Sequence, residues 1–330
     1  MSIRSFLRLS AHIQLLPVLE SGEETTLVGG QAVMEGVMMR APHSYCVAVR
    51  KASGEIVTEE APFGRVSEKY PAFKYPVLRG LGTLGQAMWL GMKALRFSAN
   101  AVLDETPADG KPAAKPVEIS PWMMGLNLAF SLLFFIFLYK FVPLFLATQI
   151  GNRVPAMHGR FAVNMVDGVI RIVLFLAFLT LLSRMKDIRR VFEYHGAEHK
   201  VVFNFESGQP VTVQNAQRFV TFHPRCGTSF LIVVMLISMV IYALLPFDGF
   251  VARFVARLAL LPLVVGLSYE LIRFAAKRPG SMLAALTTPG LWLQRVTTKP
   301  PSDEQAAIAI HALEGAMNLE RAQGGELVIA

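Results

Sequence analysis

The sequence contains little cysteine and few charged residues. Only Cys46 and Cys226 occur among the 330 residues, which excludes a disulfide framework as the basis of the fold. Charged residues make up 17% of the chain and hydrophobic residues 53%, a composition too apolar for an ordinary soluble enzyme. The composition therefore predicts a membrane protein with polar parts.

Acidic residues are also fewer than basic ones, 24 against 32, which gives a net charge of +8. In a soluble domain such an excess would suggest a nucleic-acid partner. In an apolar chain it is better explained by Lys and Arg side chains beside the cytoplasmic ends of membrane spans and near anionic lipid. We therefore expect the lipid bilayer to be a partner and expect no nucleic acid.

Four stretches are candidate transmembrane helices, at 122–139, 161–183, 227–247 and 250–276. The second contains Asp167 and Arg171, which are four residues apart, so that a helical ion pair could offset their burial. The sequence predicts an α-helical membrane protein with about four transmembrane helices and a small N-terminal α+β cytoplasmic region.

Basic residues are concentrated in the loop 184–226 and directly after the fourth stretch. The positive-inside rule places that loop and both termini in the cytoplasm. Arg253 and Arg257 oppose this orientation but are outnumbered.

The pattern divides the chain into six parts. They are an N-terminal tail (1–26), a soluble β-containing region (27–76), an amphipathic helix (77–103), a linker (104–121), a transmembrane bundle (122–276) and a cytoplasmic C-terminal region (277–330). Alternation on both sides of Ser53 and Gly54 predicts a β-hairpin. Ser302 and Gln305 form a capping-box pattern that predicts a helix over 303–319. The amphipathic helix is interpreted as interfacial, with a re-entrant segment or a fifth span as alternatives.

An H-x-x-E-H pattern is formed by His195, Glu198 and His199. Two histidines four residues apart lie on one face of a helix, with the carboxylate on the neighbouring row. Imidazoles bind divalent metals, and a nearby carboxylate can take a proton from water. Both histidines also extend the apolar stripe of a helix, so buried imidazoles bonded to the backbone are the alternative interpretation.

A second cluster, His223 and Cys226, lies just before the third apolar stretch, and Pro224 between them disfavours a regular strand. If this loop folds back, the two histidines of the first motif and this pair would meet at the cytoplasmic edge of the membrane. Four protein ligands would make a structural metal site, whereas three would leave a position open and Glu198 available as a base. Mixed nitrogen and sulfur ligands favour zinc, whereas a set of imidazole and carboxylate ligands would also suit iron or manganese.

Other ionisable residues are weaker candidates. Glu270 is an acid within a predicted span and is therefore a functional candidate, with an ion pair to Arg273 as the alternative. Glu35 is a candidate acid, and Arg40 or Arg225 could bind an anionic group. The glycine-rich stretch around Glu35 is equally well explained by a tight turn that leads into a core strand.

At these positions the sequence resembles the YqhQ-like family of uncharacterised multi-pass bacterial membrane proteins. The matching motifs are GGQAVMEGVMMR at 29–40, YHGAEHK at 194–200, HPRCGTSF at 223–230, Tyr269-Glu270, and Pro289-Gly290 through Leu293-Gln294 to Thr297-Thr298. The resemblance implies a bacterial inner-membrane protein and a predicted metal-dependent enzyme, with no established reaction. Carried over by motif, it implies roles for Glu35, Arg40, His195, Glu198, His199, His223, Arg225 and Cys226.

The leading hypothesis is a membrane-embedded, metal-dependent hydrolase at the cytoplasmic face of the membrane. In it, His195 and His199 bind zinc or a similar ion, His223 or Cys226 adds a third ligand, and Glu198 is the general base. The alternative is a non-enzymatic membrane assembly or biogenesis factor with a structural metal. A transporter is a third and weaker hypothesis.

Overall fold

A computed structural model describes residues 28–103, 121–157, 159–223, 226–247, 249–277 and 288–323 of the chain. The described part is mostly helical, with one β-sheet near the N-terminus. Its strands are β1 (Gly29–Val33), β2 (Gly36–Arg40), β3 (Ser44–Arg50) and β4 (Ile56–Pro62). Its helices are α1 (Val66–Lys69), α2 (Leu78–Leu103), α3 (Pro121–Ile136), α4 (Val142–Arg153), α5 (Arg160–Leu182), α6 (Lys186–Glu206), α7 (Val213–Arg218), α8 (Gly227–Ala243), α9 (Phe250–Ala259), α10 (Leu261–Lys277), α11 (Thr288–Thr297) and α12 (Asp303–Ala322). The predicted tail at 1–26 and almost all of the predicted linker at 104–121 lie outside the described residues.

The sheet is an antiparallel meander in the order β1-β2-β3-β4. The predicted hairpin is confirmed as β3 and β4, with Gly54 at a positive φ of 87° in the turn. The prediction was incomplete, however, because the glycine-rich stretch adds β1 and β2 to form four strands. That stretch therefore forms a tight turn that leads into the buried strand β2, and its interpretation as a site loop stays a prediction.

Both faces of the sheet are buried along β2 and β3, whereas β4 alternates between exposed and half-buried residues. Val37, Met39, Cys46 and Ala48 pack on one side in a core shared with α6 and α12. The alternate residues, which include Tyr45 and the valines on either side of Ala48, pack on the other side in a core shared with α2. Burial on both faces explains why β3 is almost uninterruptedly buried instead of alternating between core and solvent.

Helix α12 begins with the predicted capping box. The Ser302 hydroxyl accepts a hydrogen bond from the Gln305 backbone N–H, and the Gln305 side chain accepts one from the Ser302 backbone N–H. The helix extends three residues beyond the predicted end at 319. This C-terminal helix packs on β2 and β3, so the two ends of the described chain share one core.

Two helical segments of the described chain are individually long and apolar enough to cross a membrane. They are Ala129–Arg153, in which a π-helical turn at Phe137–Phe141 joins the end of α3 to all of α4, and Arg160–Leu182. The pair α9 and α10 is bent by 50° and counts as a third if it forms one span. Helix α8 is apolar but has only 17 residues. The described helices thus support two or three candidate spans, and the expectation of about four stays a prediction.

The first candidate span extends further along the chain than the sequence predicted. Lys140 does not end it, because the Lys140 amine donates a hydrogen bond of 3.2 Å to the Tyr242 hydroxyl of α8. A charged side chain with a partner inside the helical bundle is compatible with a continuous apolar segment.

A buried ionic cluster joins α5 to α9. The predicted pair is present, since Arg171 donates to the Asp167 carboxylate at 2.5 Å. Arg257 of α9 donates to the other oxygen of Asp167 at 2.9 Å and to the Asn164 side chain at 2.5 Å. These charges therefore connect helices to each other, and Arg257 is fully buried.

Candidate metal centre

The two histidines of the H-x-x-E-H pattern lie on α6, as the spacing predicts. Their ring centroids are 4.4 Å apart. His199 is 2% exposed, and His195 is partly buried. Helical spacing alone brings these imidazoles to one face of α6.

Backbone carbonyls orient both rings. Nδ1 of His195 lies 2.8 Å from the Thr297 carbonyl oxygen, and Nδ1 of His199 lies 2.5 Å from the Thr221 carbonyl oxygen. A carbonyl can only accept a hydrogen bond, so each Nδ1 carries the proton and each Nε2 presents a lone pair. Metal-binding histidines in proteins are usually held in this way.

The contact between His195 and the Thr297 carbonyl requires the residues at the end of α11 to lie close to α6. A β-carbon on Gly196 would lie 2.0 Å from the Lys299 carbonyl oxygen, so any larger residue would displace that segment. The absence of a side chain at position 196 therefore allows the Thr297 carbonyl to reach His195.

Cys226 completes a set of three ligand atoms. Its Sγ lies 3.3 Å from Nε2 of His195, and the ligand atoms of His195, His199 and Cys226 all lie within 4.8 Å of one another. In a tetrahedral zinc site, a nitrogen and a sulfur ligand are roughly 3.5 Å apart, given the usual zinc–ligand bond lengths. The donor types and their spacing therefore fit a zinc-like ion.

The predicted ligand His223 is not part of this set. Its ring is 5.6 Å from the His199 ring, centroid to centroid, and its Nε2 lies 3.4 Å from a carboxylate oxygen of Glu206. Two hydrogen bonds from α11 hold the His223 backbone in this position. The Gln294 side chain accepts one from the His223 backbone N–H at 2.7 Å and donates one to the His223 carbonyl at 2.8 Å. Burial lowers the pKa of His223 to about 4, although the charge of Glu198 opposes this shift.

Glu198 lies beside the candidate ligands. Its side chain is 8% exposed, and one carboxylate oxygen is 3.4 Å from Nε2 of His199. Burial is the largest cause that lowers the pKa of His199, and contact with Cys226 opposes it. The neutral imidazole that results is the form that binds a metal.

The other predicted site residues lie elsewhere. Glu35, in the β1–β2 turn, forms an ion pair with Arg190 and accepts a hydrogen bond from the Tyr194 hydroxyl at 3.4 Å. The Arg40 guanidinium stacks over the Phe63 ring at 4.8 Å. Neither belongs to the three-ligand group, and Arg225 lies outside the described residues.

Glu270 is paired, but not with the predicted partner Arg273. It accepts hydrogen bonds from two nitrogens of Arg79 and, at 3.2 Å, from the Val77 backbone N–H. Glu270 therefore links α10 to the start of α2.

Sequence reasoning missed the residues that position the ligands. Thr221 and Thr297 act through backbone carbonyls, which have no side-chain signature. Gln294 clamps the backbone of the His223 loop. Both Gln294 and Thr297 belong to the quoted family motifs, and this membership was the feature of the sequence that could have identified them.

Comparison with known proteins identifies the family. The chain belongs to the family described as Protein of unknown function (DUF1385), whose model matches residues 75–319. It is 36% identical over 297 residues to Uncharacterized protein YqhQ of Bacillus subtilis (strain 168). The aligned region covers 88% of this chain and 92% of the relative. No solved structure matches the chain.

Proposed function

We propose that this member of the DUF1385 family is a membrane-embedded, metal-dependent hydrolase whose metal is held by His195, His199 and Cys226. One observation carries the proposal: three ligand atoms within 4.8 Å of one another lie beside a buried carboxylate, that of Glu198. A closed structural zinc site usually has four protein ligands, whereas a catalytic site has three and an open position. Within the part of the chain that the structure describes, the group has three members, which favours the catalytic type.

The nitrogen and sulfur donors favour zinc. When bound there, zinc would supply a Lewis acid that polarises the substrate and acidifies water. His195 and His199 present Nε2 lone pairs because the Thr297 and Thr221 carbonyls hold their Nδ1 protons.

Glu198 is the proposed general base. In hydrolysis, water adds across the scissile bond, and Glu198 takes a proton from that water and passes it to the leaving group. Its nearly complete burial shields the carboxylate from bulk solvent, which suits a group that must exchange protons with a bound reactant. Arg225, adjacent to Cys226 in sequence, is the proposed partner of the negative charge that develops on the substrate.

The substrate bond is proposed by class alone: a peptide bond, a lipid-linked group or a phosphoester. Each of these is cleaved by water with a general base and a Lewis acid. Arg40 is the other proposed anion-binding residue, but its guanidinium already stacks on Phe63, and burial lowers its pKa.

The proposed location is the bacterial inner membrane, with the metal centre at the cytoplasmic face and both termini in the cytoplasm. Two or three helical segments of suitable length support membrane insertion. Large apolar side chains cover their outer surfaces; Phe130, for example, is 69% exposed and Phe161 is 64% exposed. Such surfaces are favourable in lipid and costly in water.

The membrane orientation can be tested by cysteine labelling of a Gln209→Cys variant, since Gln209 is exposed in the loop after α6. We expect a membrane-impermeant thiol reagent to label this site in inverted vesicles and not in intact cells. Labelling from outside intact cells would contradict the cytoplasmic assignment.

A structural metal in a membrane assembly factor is the second candidate. The observation that favours it is that α6, Thr221 with Cys226, and the C-terminal end of α11 all meet at the three ligands, so an ion would hold them together. A transporter is less well supported, because the buried charges of Asp167, Arg171 and Arg257 already pair with one another.

Elemental analysis of the protein purified in mild detergent tests the metal site. We expect about one zinc per chain in the wild type and far less in His199→Ala. His311→Ala is the matched control, because His311 is exposed on α12 and should leave the metal in place. A metal-free wild type would contradict both the hydrolase and the structural-metal proposals.

Glu198→Gln separates the two metal proposals. A hydrolase variant of this kind should keep its metal and fold but fail to complement a deletion strain, because the amide cannot accept the proton. Glu193→Gln, five residues earlier on α6, is the control. Full complementation by Glu198→Gln with normal metal content would favour the structural role.

A further inference from the structure

A groove with a volume of about 750 Å³ runs between α8, α10 and the start of α2. Its walls are aliphatic and aromatic side chains, among them Ile237, Val240 and Leu271. The volume is within the range of roughly 300–1,000 Å³ that is typical of small-molecule sites. The groove shares no lining residue with the candidate metal centre.

Charged residues are part of the same lining. They are Arg79, Glu270 and Arg273. Arg79 and Glu270 form an ion pair, whereas Arg273 has no ion-pair partner among the described residues. Two guanidinium groups against one carboxylate give the lining one excess positive charge, which complements an anion.

These charges lie at one end of the groove. The Tyr242 hydroxyl donates to the Arg257 carbonyl at 3.1 Å, so α9 ends, and α10 begins, beside the C-terminal end of α8. Helix α10 therefore runs back along α8. Glu270 is nine residues into α10, roughly 13 Å along its axis, and lines the groove together with Val233 near the beginning of α8.

The groove thus has an apolar length and a cationic end, which is the pattern of an amphiphile site. The apolar part would hold an acyl chain, and the Arg273 guanidinium would pair with an acidic headgroup. Both helices that form its long walls are apolar, and one of them belongs to a candidate span. A lipid would reach such a groove directly from the bilayer.

We propose that this groove is a specific binding site for an anionic phospholipid, with an acyl chain along α8 and α10 and the phosphate at Arg273. The proposal does not rest on the metal site or on hydrolysis. A phosphate paired with a planar guanidinium is held by charge-assisted hydrogen bonds, and neutral lipids would gain only the apolar contacts.

The test uses the full chain in nanodiscs made from an equimolar mixture of phosphatidylglycerol and phosphatidylcholine. Lipid that stays bound after transfer to detergent is measured by native mass spectrometry. We expect the wild type to retain phosphatidylglycerol in about fivefold excess over phosphatidylcholine, the preference that one favourable basic residue near a membrane surface provides. Arg273→Gln should lower this ratio to about one.

Two tryptophan variants test the apolar part. Val240 is 58% exposed and lines the groove, so Val240→Trp should fill it without disturbing the core and should reduce retention of both lipids. Leu231→Trp is the control, because Leu231 is 44% exposed on the same helix but does not line the groove. Arg184→Gln is the matched charge control outside the groove.

Retention of both lipids in equal amounts by the wild type would overturn the proposal and indicate an ordinary lipid shell. Retention of no lipid would overturn it as well. Metal content measured in the same samples keeps the two proposals separate: the groove variants should keep their metal, and His199→Ala should keep its lipid. A preference for phosphatidylglycerol in a metal-free wild type would support the groove and contradict the metal site.

Discussion

Gly30 of β1 lies directly against the side chain of Glu198 on α6. A β-carbon at position 30 would be 2.7 Å from Cγ of Glu198, closer than side chains pack. It would also be 2.6 Å from the Met38 carbonyl oxygen of the neighbouring strand. The glycine-rich N-terminal motif and the histidine motif, which are far apart in sequence, therefore meet at the proposed catalytic carboxylate.

Gly30→Ala should therefore impair function through Glu198. We expect a loss of stability of about 1–3 kcal/mol, as is typical of overpacking, together with a displaced carboxylate. The variant should fail to complement a deletion strain at expression levels where metal content is still normal. Thermal unfolding in detergent and elemental analysis provide these measurements.

Gly29→Ala is the matched control for this prediction. A β-carbon at position 29 would have no neighbour within 4 Å, so this variant should behave like the wild type. If Gly30→Ala also behaves like the wild type, contact between β1 and Glu198 does not matter for function.

The two cysteines should differ in reactivity. Burial, reinforced by the charge of Glu60, raises the pKa of the Cys46 thiol to about 12, so hardly any reactive thiolate exists near neutral pH. Cys226 is only partly buried. We expect iodoacetamide to modify Cys226 in metal-free protein and to leave Cys46 unmodified until the protein unfolds.

Added zinc should slow the modification of Cys226, because a metal-bound thiolate is a poorer nucleophile and is shielded by its ion. Peptide mapping by mass spectrometry with and without zinc measures this protection. Equal rates in both conditions would contradict Cys226 as a ligand, and early modification of Cys46 would contradict its burial.

Local patterns in the sequence were sufficient to predict individual elements. The spacing of His195 and His199 places both on one face of α6, and Ser302 with Gln305 marks the start of α12. These predictions succeeded because helical periodicity and capping depend on residues within a few positions of each other.

Long-range contacts decided what the sequence could not show. His223 is held away from the ligand set by Gln294, a residue 71 positions later in the chain. Lys140 lies within an apolar helical segment where Tyr242 accepts its hydrogen bond. Neither partner can be identified from spacing, because nothing local marks which distant side chain will be adjacent.

Asp167 should be important for stability. It accepts hydrogen bonds from both Arg171 and Arg257, which are almost completely buried. Asp167→Asn would leave two buried guanidinium groups without their carboxylate, and removing one partner of such a buried cluster typically costs about 3–5 kcal/mol. Thermal unfolding in detergent should show a markedly lower midpoint.

Asp187→Asn is the control for the ionic cluster. Asp187 is an exposed residue in the first turn of α6, where a negative charge contributes about 0.3–1 kcal/mol through the helix dipole. An equal loss of stability in the two variants would contradict the structural role of the cluster.

His223 should make the metal-free protein less stable in acid. Burial lowers its pKa from 6.5 to about 4, so between these values the unfolded chain binds a proton that the folded chain does not. The contribution of His223 to the free energy of unfolding should therefore be greatest above pH 6.5. It should fall by about 3 kcal/mol in total as the pH drops towards 4, and it should change little below that. Thermal unfolding between these pH values, with a chelator present throughout, measures the change.

In His223→Gln the fall should be smaller by that amount, because the amide does not titrate while the other histidines are unchanged. An identical pH profile in the two proteins would show that His223 is not the neutral imidazole that its burial indicates.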